Sequence, residues 1–343
     1  MAGRLEFTLP LKVTISFGDA TAQPVVDVAA TTPGPAVPAP QPAQPALKDV
    51  PMSAGIKQSK DKALQELERS RTRVYFDTGV ADAARAAYYQ SVDLGDDKPA
   101  NFAVLSRLVT DTHATKPRYA PARELYPWID LHKEGRRLVI KSIYSGRVFD
   151  AREFIEEAFR VEARREAMRS SMRLNEMFSA VPESAVDDLL EANAPFNCEH
   201  VVPQSWFSKK EPMRGDLHHL FACESGCNSF RGNHAYFDFP DQEAIRDMCG
   251  RREEDRFEPD AGKGAVARAT LYFLLRYPDA IDLDISQMDK DRVATLRRWH
   301  EGDPVSEYEK HRNQAIFEAQ GNRNPFIDHE DWVEEVDFSA GLA

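Results

Sequence analysis

The segment NCEHVVPQSWF (197–207) places a carboxylate next to an imidazole, Glu199 followed by His200. Further along the chain, CNSFRGN supplies an amide at Asn228 and a cation at Arg231. A carboxylate and an amide oxygen suit a Mg²⁺-type ion, which keeps several waters in its shell. A neutral imidazole suits removal of a proton from an attacking water. Together these residue types indicate hydrolysis of a phosphodiester with one hard cation.

Each of these side chains has an expected role in that chemistry. His200 is predicted to be the general base, while Glu199 and Asn228 are predicted to bind the ion. Because negative charge accumulates at the scissile phosphate, a cation should contact it. Arg231 is preferred for this contact, with Arg214 or Lys210 of the loop as the alternative. Adjacent backbone positions would hold base and ion at a fixed mutual distance.

The local sequence around these residues predicts two strands and a helix. Prolines at 195, 203 and 212 exclude a continuous helix, while CEHVV and DLHHLF are typical of short strands. SGCNSFRGN is typical of a helix start, with Ser225 or Asn228 near its N-terminus. Since neighbouring strand residues point to opposite faces, Glu199 and His200 can share a site only if the strand ends or bends there.

The rest of the chain is predicted to be mostly helical, which makes the fold class α+β. Residues 1–19 alternate as in a strand, and 20–57 form a Pro/Ala-rich linker. Residues 58–338 form the main domain, with the strand and helix unit at about 195–240 as its core. Helix caps are predicted at three serines followed three residues later by an acid. They are Ser184, Ser286 and Ser306.

The long segment 151–178 is predicted to be an amphipathic helix rich in arginine. Its arginines are able to face a polyanion, but interspersed glutamates favour a solvated helix with ion pairs along its surface. The segment 257–277, FEPDAGKGAVARATLYFLLRY, has a G-K-G without the spacing of a phosphate loop, so we interpret it as a buried helix.

Composition excludes some classes of protein and leaves others open. Hydrophobic content of 42% and charged content of 29% in 343 residues are ordinary for a globular protein. A net charge of −12 argues against wholesale binding of nucleic acid, so affinity should be concentrated in one basic cleft. No apolar run long enough for a membrane span or a leader is recognised, which favours a cytoplasmic protein or export by a non-standard route.

All the cysteines lie close to the opening motif in the sequence. For a chain without a recognised leader, free thiols or metal ligation are favoured over disulfides. A structural Zn²⁺ bound by four thiolates is one possibility, and small buried hydrophobes are the other. The residues concerned are Cys198, Cys223, Cys227 and Cys249.

These motifs, taken in order, resemble the endonuclease I family of ββα-metal (His-Me finger) nucleases. The resemblance lies in NCEHVVPQSWF, MRGDLHHLF and CNSFRGN, and continues in the segments 257–277 and 320–332. It covers about residues 75–335. One short motif would mean little, but five in the right order are highly specific.

The resemblance implies a sequence-non-specific endonuclease acting on DNA and often on RNA, with Mg²⁺ or a similar ion such as Ca²⁺ or Mn²⁺. It implies the same roles for His200, Glu199 and Asn228. It also implies that Asp216 and His218 are structural or support the site, and Asn233 is placed with them. Many family members are secreted or periplasmic, from which this chain departs by lacking a recognised leader.

A binding module is the rival interpretation. The same small unit, held by a structural zinc, would grip nucleic acid or a protein without cutting it. A usable set of His200, Glu199 and Asn228 favours the enzyme, because a binding module tolerates the loss of any of them.

Overall fold

The computed structural model describes residues 50–174, 194–240 and 245–342. The predicted N-terminal strand, most of the linker and the cap at Ser184 lie outside these residues. The described helices are α1 (Ala54–Ser70), α2 (Thr78–Tyr88), α3 (Lys98–Asp111), α4 (Pro121–Glu124), α5 (Ala151–Leu174), α6 (Ser225–Arg231), α7 (Lys263–Arg276), α8 (Leu283–Ser286), α9 (Lys290–Gly302), α10 (Glu307–Gln320) and α11 (Pro325–Asp328).

The described strands form three small sheets, so the α+β prediction is confirmed. The strands are β1 (Leu131–Glu134), β2 (Arg137–Lys141), β3 (Val148–Asp150), β4 (Phe196–His200), β5 (Leu220–Glu224), β6 (Ala235–Tyr236), β7 (Ile245–Asp247), β8 (Gly250–Glu253) and β9 (Arg256–Pro259). They pair in the orders β1-β2-β3, β4-β5 and β6-β9-β8-β7.

The predicted order of strand, loop, strand and helix is present at β4, β5 and α6. The two strands pair antiparallel, with Glu199 opposite Phe221 and His200 opposite Leu220. Helix α6 begins at Ser225, directly after β5 ends at Glu224. Helix α6 therefore brings Arg231 back towards the end of β4.

One boundary of this unit was predicted wrongly. The segment DLHHLF was expected to be a strand throughout, but Leu217–His219 forms a 3₁₀ turn and the strand starts only at Leu220. The Asp216 carboxylate accepts a hydrogen bond from the backbone N–H of His218 at 3.1 Å. This local bond competes with strand pairing and turns the chain.

The β4–β5 hairpin lies between two hydrophobic clusters. Phe221 and Cys223 belong to one cluster, together with α7, and Leu220 and Ala222 belong to the other, together with α5. This division follows from the alternation of side chains across a strand. Every residue of β5 is buried, so the hairpin is fixed on both faces.

Two of the predicted helix features are confirmed and one is corrected. Ser306 and Glu309 form the predicted capping box at the start of α10. Residues 264–276 of α7 are all buried, as expected for a core helix. Ser286, however, ends α8, and Asp289 is the residue whose side chain caps α9. No helix among the described residues has both the length and the apolarity to cross a membrane.

The predicted four-cysteine zinc site is wrong. Cys227 of α6 and Cys249, in the turn between β7 and β8, form a disulfide with a Cα–Cα distance of 5.2 Å. Cys198 and Cys223 are buried and take no part in it. Their buried positions among apolar neighbours fit the other interpretation, small hydrophobes of the core.

Removing the disulfide is expected to destabilise the protein. The bond joins residues 22 apart, and restricting a loop of that length in the unfolded chain stabilises the fold by about 3 kcal/mol. Replacing both Cys227 and Cys249 by serine should therefore lower the free energy of urea unfolding by about 3 kcal/mol. Dithiothreitol should have a similar effect on the wild type and none on the double variant. An unchanged wild-type curve in dithiothreitol would contradict the expectation.

Candidate active site

The Glu199 carboxylate lies at the end of β4 and is almost fully enclosed, with 2% exposure. Its Oε1 accepts a hydrogen bond from the Tyr144 hydroxyl at 2.7 Å and lies 3.2 Å from Nη1 of Arg231. Burial raises the pKa of Glu199 to about 7, although Arg231 and Tyr144 act in the opposite direction. A bound cation would favour the ionised carboxylate.

Both described contacts of Glu199 are made through the same oxygen. Within the described part of the chain, Oε2 has no hydrogen-bond partner. The carboxylate is thus fixed on one side and free on the other. This is the arrangement expected of a side chain that offers one oxygen to a metal ion.

His200 is also buried, and its ring nitrogens have different surroundings. Nε2 lies 3.0 Å from the backbone carbonyl of Arg214. Because a carbonyl only accepts, Nε2 carries the proton and Nδ1 of the neutral ring is an acceptor. No described residue hydrogen-bonds to Nδ1. Burial lowers the pKa of His200 well below its usual value, which favours the neutral ring that a general base requires.

Arg231 does not have the position expected of a phosphate contact. Its side chain is 1% exposed and donates to the backbone carbonyls of Val201 at 2.9 Å and Gly232 at 3.2 Å. The guanidinium also lies 5.0 Å from the ring centre of Tyr236. The preferred prediction for Arg231 is therefore corrected. Arg231 was chosen because it lies close to the site in the sequence. Its buried guanidinium instead contacts Glu199 and the backbone at the end of β4, and supports both.

Arg214 has the more suitable position for a contact with substrate. It is half-buried, and its Nε donates to Gln204 Oε1 at 2.8 Å. Its guanidinium lies 5.0 Å from the ring centre of Tyr119, and the Tyr119 ring in turn lies 5.0 Å from that of His200. Tyr119 and Arg214 thus form one surface, and the buried His200 ring borders it through Tyr119.

A cavity of about 760 Å³ opens beside this surface. Tyr119, Arg214 and Asn197 line it, together with arginines of α4 and α5. These arginines are Arg123, Arg165 and Arg169.

Ion pairs were predicted along the surface of α5, and this prediction is confirmed for two of its arginines. Arg160 and Arg164 pair with Glu157 at 2.8 and 3.1 Å.

The two asparagines of the segment 228–233 lie on either side of Arg231. Asn228 is half-buried and one helical turn before it, whereas Asn233 is exposed and follows Gly232, whose carbonyl accepts from Arg231. Neither side-chain amide makes a hydrogen bond with the described residues. The structure thus brings Arg231 to Glu199 and leaves both neighbouring amides available.

Asp216 and His218 have structural surroundings. Asp216 is completely buried and accepts hydrogen bonds from the hydroxyls of Tyr272 and Tyr277, both at 2.9 Å. Nε2 of His218 faces the backbone carbonyl of Asn322 at 3.4 Å. These bonds tie the 3₁₀ turn to α7 and to the C-terminal segment, away from Glu199.

The protein groups at this site fit the ion that the chemistry requires. The described residues contain no group of three His, Cys, Asp or Glu side chains able to hold a metal. A single carboxylate with one free oxygen is a poor site for zinc or copper. It fits a hard cation that keeps most of its water shell.

These residues lie in a part of the chain that is similar to known proteins. The sequence profile of Endonuclease I matches residues 175–331. The chain is 35% identical to an extracellular ribonuclease of Bacillus amyloliquefaciens over 155 residues, which is 41% of this chain and 53% of the relative. It is 31% identical to a periplasmic deoxyribonuclease of Aeromonas hydrophila over 121 residues, 34% of this chain and 48% of the relative.

A further relative is Endonuclease-1 of Buchnera aphidicola, which is 25% identical over 123 residues, 35% of this chain and 46% of the relative. The chain spans about half the length of the curated relatives that it matches. The matched residues contain β4, β5 and α6, and with them Glu199, His200 and Arg231. Residues 175–331, slightly less than half of the chain, are therefore similar to the endonuclease I family.

Proposed function

We propose that this protein is a metal-dependent endonuclease of the His-Me finger type that hydrolyses phosphodiester bonds in nucleic acid. The observation that carries the proposal is the pair at the end of β4. Glu199 has one oxygen fixed and one free, and the neighbouring His200 has one nitrogen fixed and one free. The match of residues 175–331 to the Endonuclease I profile supports the same conclusion.

In this proposal Glu199 Oε2 and an amide oxygen of the segment 228–233 hold a Mg²⁺-type ion. When bound, such an ion neutralises charge on the phosphate and on the leaving oxygen. Asn228 is the preferred amide, and Asn233 is the second, because Gly232 before it contacts the Arg231 side chain that pairs with Glu199. Comparing metal affinity in Asn228→Ala and Asn233→Ala identifies which amide binds.

His200 acts as the general base through Nδ1. The Arg214 carbonyl holds Nε2–H at 3.0 Å, which fixes both the tautomer and the direction of the ring. The imidazole takes a proton from the water that attacks phosphorus. Because burial keeps the pKa of His200 low, the ring is ready to accept that proton at neutral pH.

Both DNA and RNA are proposed as substrates, because two of the relatives are named as a ribonuclease and a deoxyribonuclease. The cavity beside Tyr119 offers arginines, which contact phosphates and do not identify bases. Sequence preference should therefore be slight. The acidic net charge of −12 confines productive binding to this surface.

A digest of supercoiled plasmid, single-stranded DNA and RNA tests the proposal. Purified protein should cut with Mg²⁺ and stop cutting when EDTA is added. Binding of nucleic acid without cutting, in any metal, would support the rival binding module. The binding module was expected to be held by a zinc ion bound to four thiolates. Cys227 and Cys249 form a disulfide, so these two residues do not bind zinc.

Replacing Arg214 by alanine should lower kcat/KM by about 10²-fold. The guanidinium packs on the Tyr119 ring, which in turn contacts the His200 ring, and it is expected to contact the phosphate as its charge develops. Loss of one such donor has an effect of this order. Arg214→Lys should recover only part of the rate, since a lysine cannot make a bidentate contact. Initial rates on plasmid measure both. Equal rates for Arg214→Ala and wild type would show that Arg214 is not the phosphate contact.

We also propose that the protein works in an oxidising compartment. The disulfide between Cys227 and Cys249 is of a kind that persists outside the cytosol. The relatives named above as extracellular and periplasmic agree with this location. Cell fractionation with non-reducing electrophoresis checks it, and a reduced cytosolic pool would contradict it.

A further inference from the structure

A tyrosine from outside the hairpin and helix completes the surroundings of Glu199. Tyr144 lies in the turn between β2 and β3, before the residues that match the family profile. Its side chain is fully buried, and its hydroxyl donates to Glu199 Oε1 at 2.7 Å. The function proposed above gives Tyr144 no role.

The backbone on both sides of Tyr144 is fixed. The N–H of Ile143 donates to the carbonyl of Ala222 in β5 at 3.0 Å, and the carbonyl of Tyr144 accepts from Ala261 at 2.9 Å. The Tyr144 ring also packs against Phe257 with centroids 5.0 Å apart. The hydroxyl is therefore presented to Glu199 from a rigid position.

A second tyrosine supports the first. The Tyr236 hydroxyl lies 2.8 Å from that of Tyr144 and 3.0 Å from the carbonyl of Val201. It has one proton for these two acceptors. The proton goes to the Val201 carbonyl, which also accepts from Arg231 at 2.9 Å, while Tyr144 uses its own proton on Glu199. Because the Tyr236 hydroxyl is held by Val201 and touches the Tyr144 hydroxyl, Tyr236, Tyr144 and Glu199 form a chain of polar contacts.

This chain restricts the carboxylate. The last torsion of a glutamate is broad and nearly two-fold, so an unrestrained carboxylate samples many orientations. Tyr144 and Arg231 hold Oε1 from two different elements, at 2.7 and 3.2 Å. With Oε1 held in this way, Oε2 is directed to the free side.

We propose that Tyr144, supported by Tyr236, is a positioning residue that orients Glu199 to bind the divalent ion. This inference rests on the function proposed above, because it requires Glu199 to be a metal ligand. It also means that the metal centre depends on residues 142–147, which lie outside the matched segment. Loss of a partner of this kind typically weakens metal binding about 10–100-fold.

The full chain carrying Tyr144→Phe tests the inference, because phenylalanine keeps the ring and removes only the hydroxyl. We expect the Kd for Mn²⁺, from the electron paramagnetic resonance signal of the free ion, and the Kd for Mg²⁺, from calorimetry, to rise about 10–100-fold. The kcat for plasmid cleavage at saturating Mg²⁺ should fall by a smaller factor than the metal affinity, because the high Mg²⁺ concentration refills the weakened site. Tyr236→Phe, which leaves Glu199 untouched, should raise both Kd values by a smaller factor.

Tyr277→Phe is the matched control. It also removes a buried hydroxyl that donates to a carboxylate at 2.9 Å, but the carboxylate is that of Asp216 and not that of Glu199. Its metal affinity should equal that of wild type. Equal affinities for Tyr144→Phe and wild type would overturn the inference while leaving the proposed function intact. Absence of metal binding by wild type would overturn both.

Discussion

The His200→Ala variant is expected to keep its fold and its metal affinity while kcat falls about 10²–10⁴-fold, the usual contribution of a general base. The Nδ1 atom of His200 has no partner among the described residues, and Nε2–H is held by the Arg214 carbonyl at 3.0 Å. Removing the ring removes the acceptor without removing a charge. Initial rates on supercoiled plasmid at saturating Mg²⁺ measure the loss.

Added imidazole provides the control for this variant. The His200 ring borders Tyr119, which lines the cavity, so a free imidazole has a route to the vacated position. Partial recovery of rate by imidazole in His200→Ala, with no effect on wild type, would support a role in proton transfer. A kcat equal to that of wild type would show that another group is the base.

Arg231→Leu is expected to lower the free energy of unfolding by about 3–5 kcal/mol, the cost of leaving one partner of a buried ion pair alone. Arg231 and Glu199 are 1% and 2% exposed, and their closest atoms are 3.2 Å apart. Without the guanidinium, the Tyr144 hydroxyl is the one polar contact that the described residues still make with this enclosed carboxylate. Urea unfolding followed by circular dichroism gives the value.

Two further variants separate this support role from contact with substrate. Combining Arg231→Leu with Glu199→Gln should restore much of the stability, because no unpaired charge remains buried. Arg214→Ala, at a half-buried position, should change stability by less than about 1 kcal/mol. If Arg231→Leu left stability unchanged and impaired only catalysis, Arg231 would be the phosphate contact expected from the sequence.

The parts of the fold that were predicted correctly are those with local signals. Prolines at 195 and 203, followed by a loop, indicated where β4 begins and ends, and Ser306 with Glu309 is a capping box that is complete within four residues. The burial of α7 followed from its continuous apolar sequence. Each signal lies inside the element that it predicts.

The errors and omissions concern contacts between distant segments. Tyr144 and Glu199 are 55 residues apart, and no pattern around IYSGR indicates that they meet. The disulfide between Cys227 and Cys249 depends on β7 and β8 returning the chain to α6, which spacing alone does not reveal. Arg231 was assigned to the scissile phosphate because it lies close to the site in the sequence. Its enclosure by Tyr236 and Trp206 is a tertiary property.

The position of a bound ion tests the central claim most directly. Crystals of the protein grown with Mn²⁺ should show an anomalous peak about 2.1–2.2 Å from Glu199 Oε2. An amide oxygen of Asn228 or Asn233 should complete the protein ligands, and His200 Nδ1 should face the same water-filled space. A peak elsewhere in the molecule, or an intact Glu199–Arg231 pair without manganese at saturating concentration, would contradict the account.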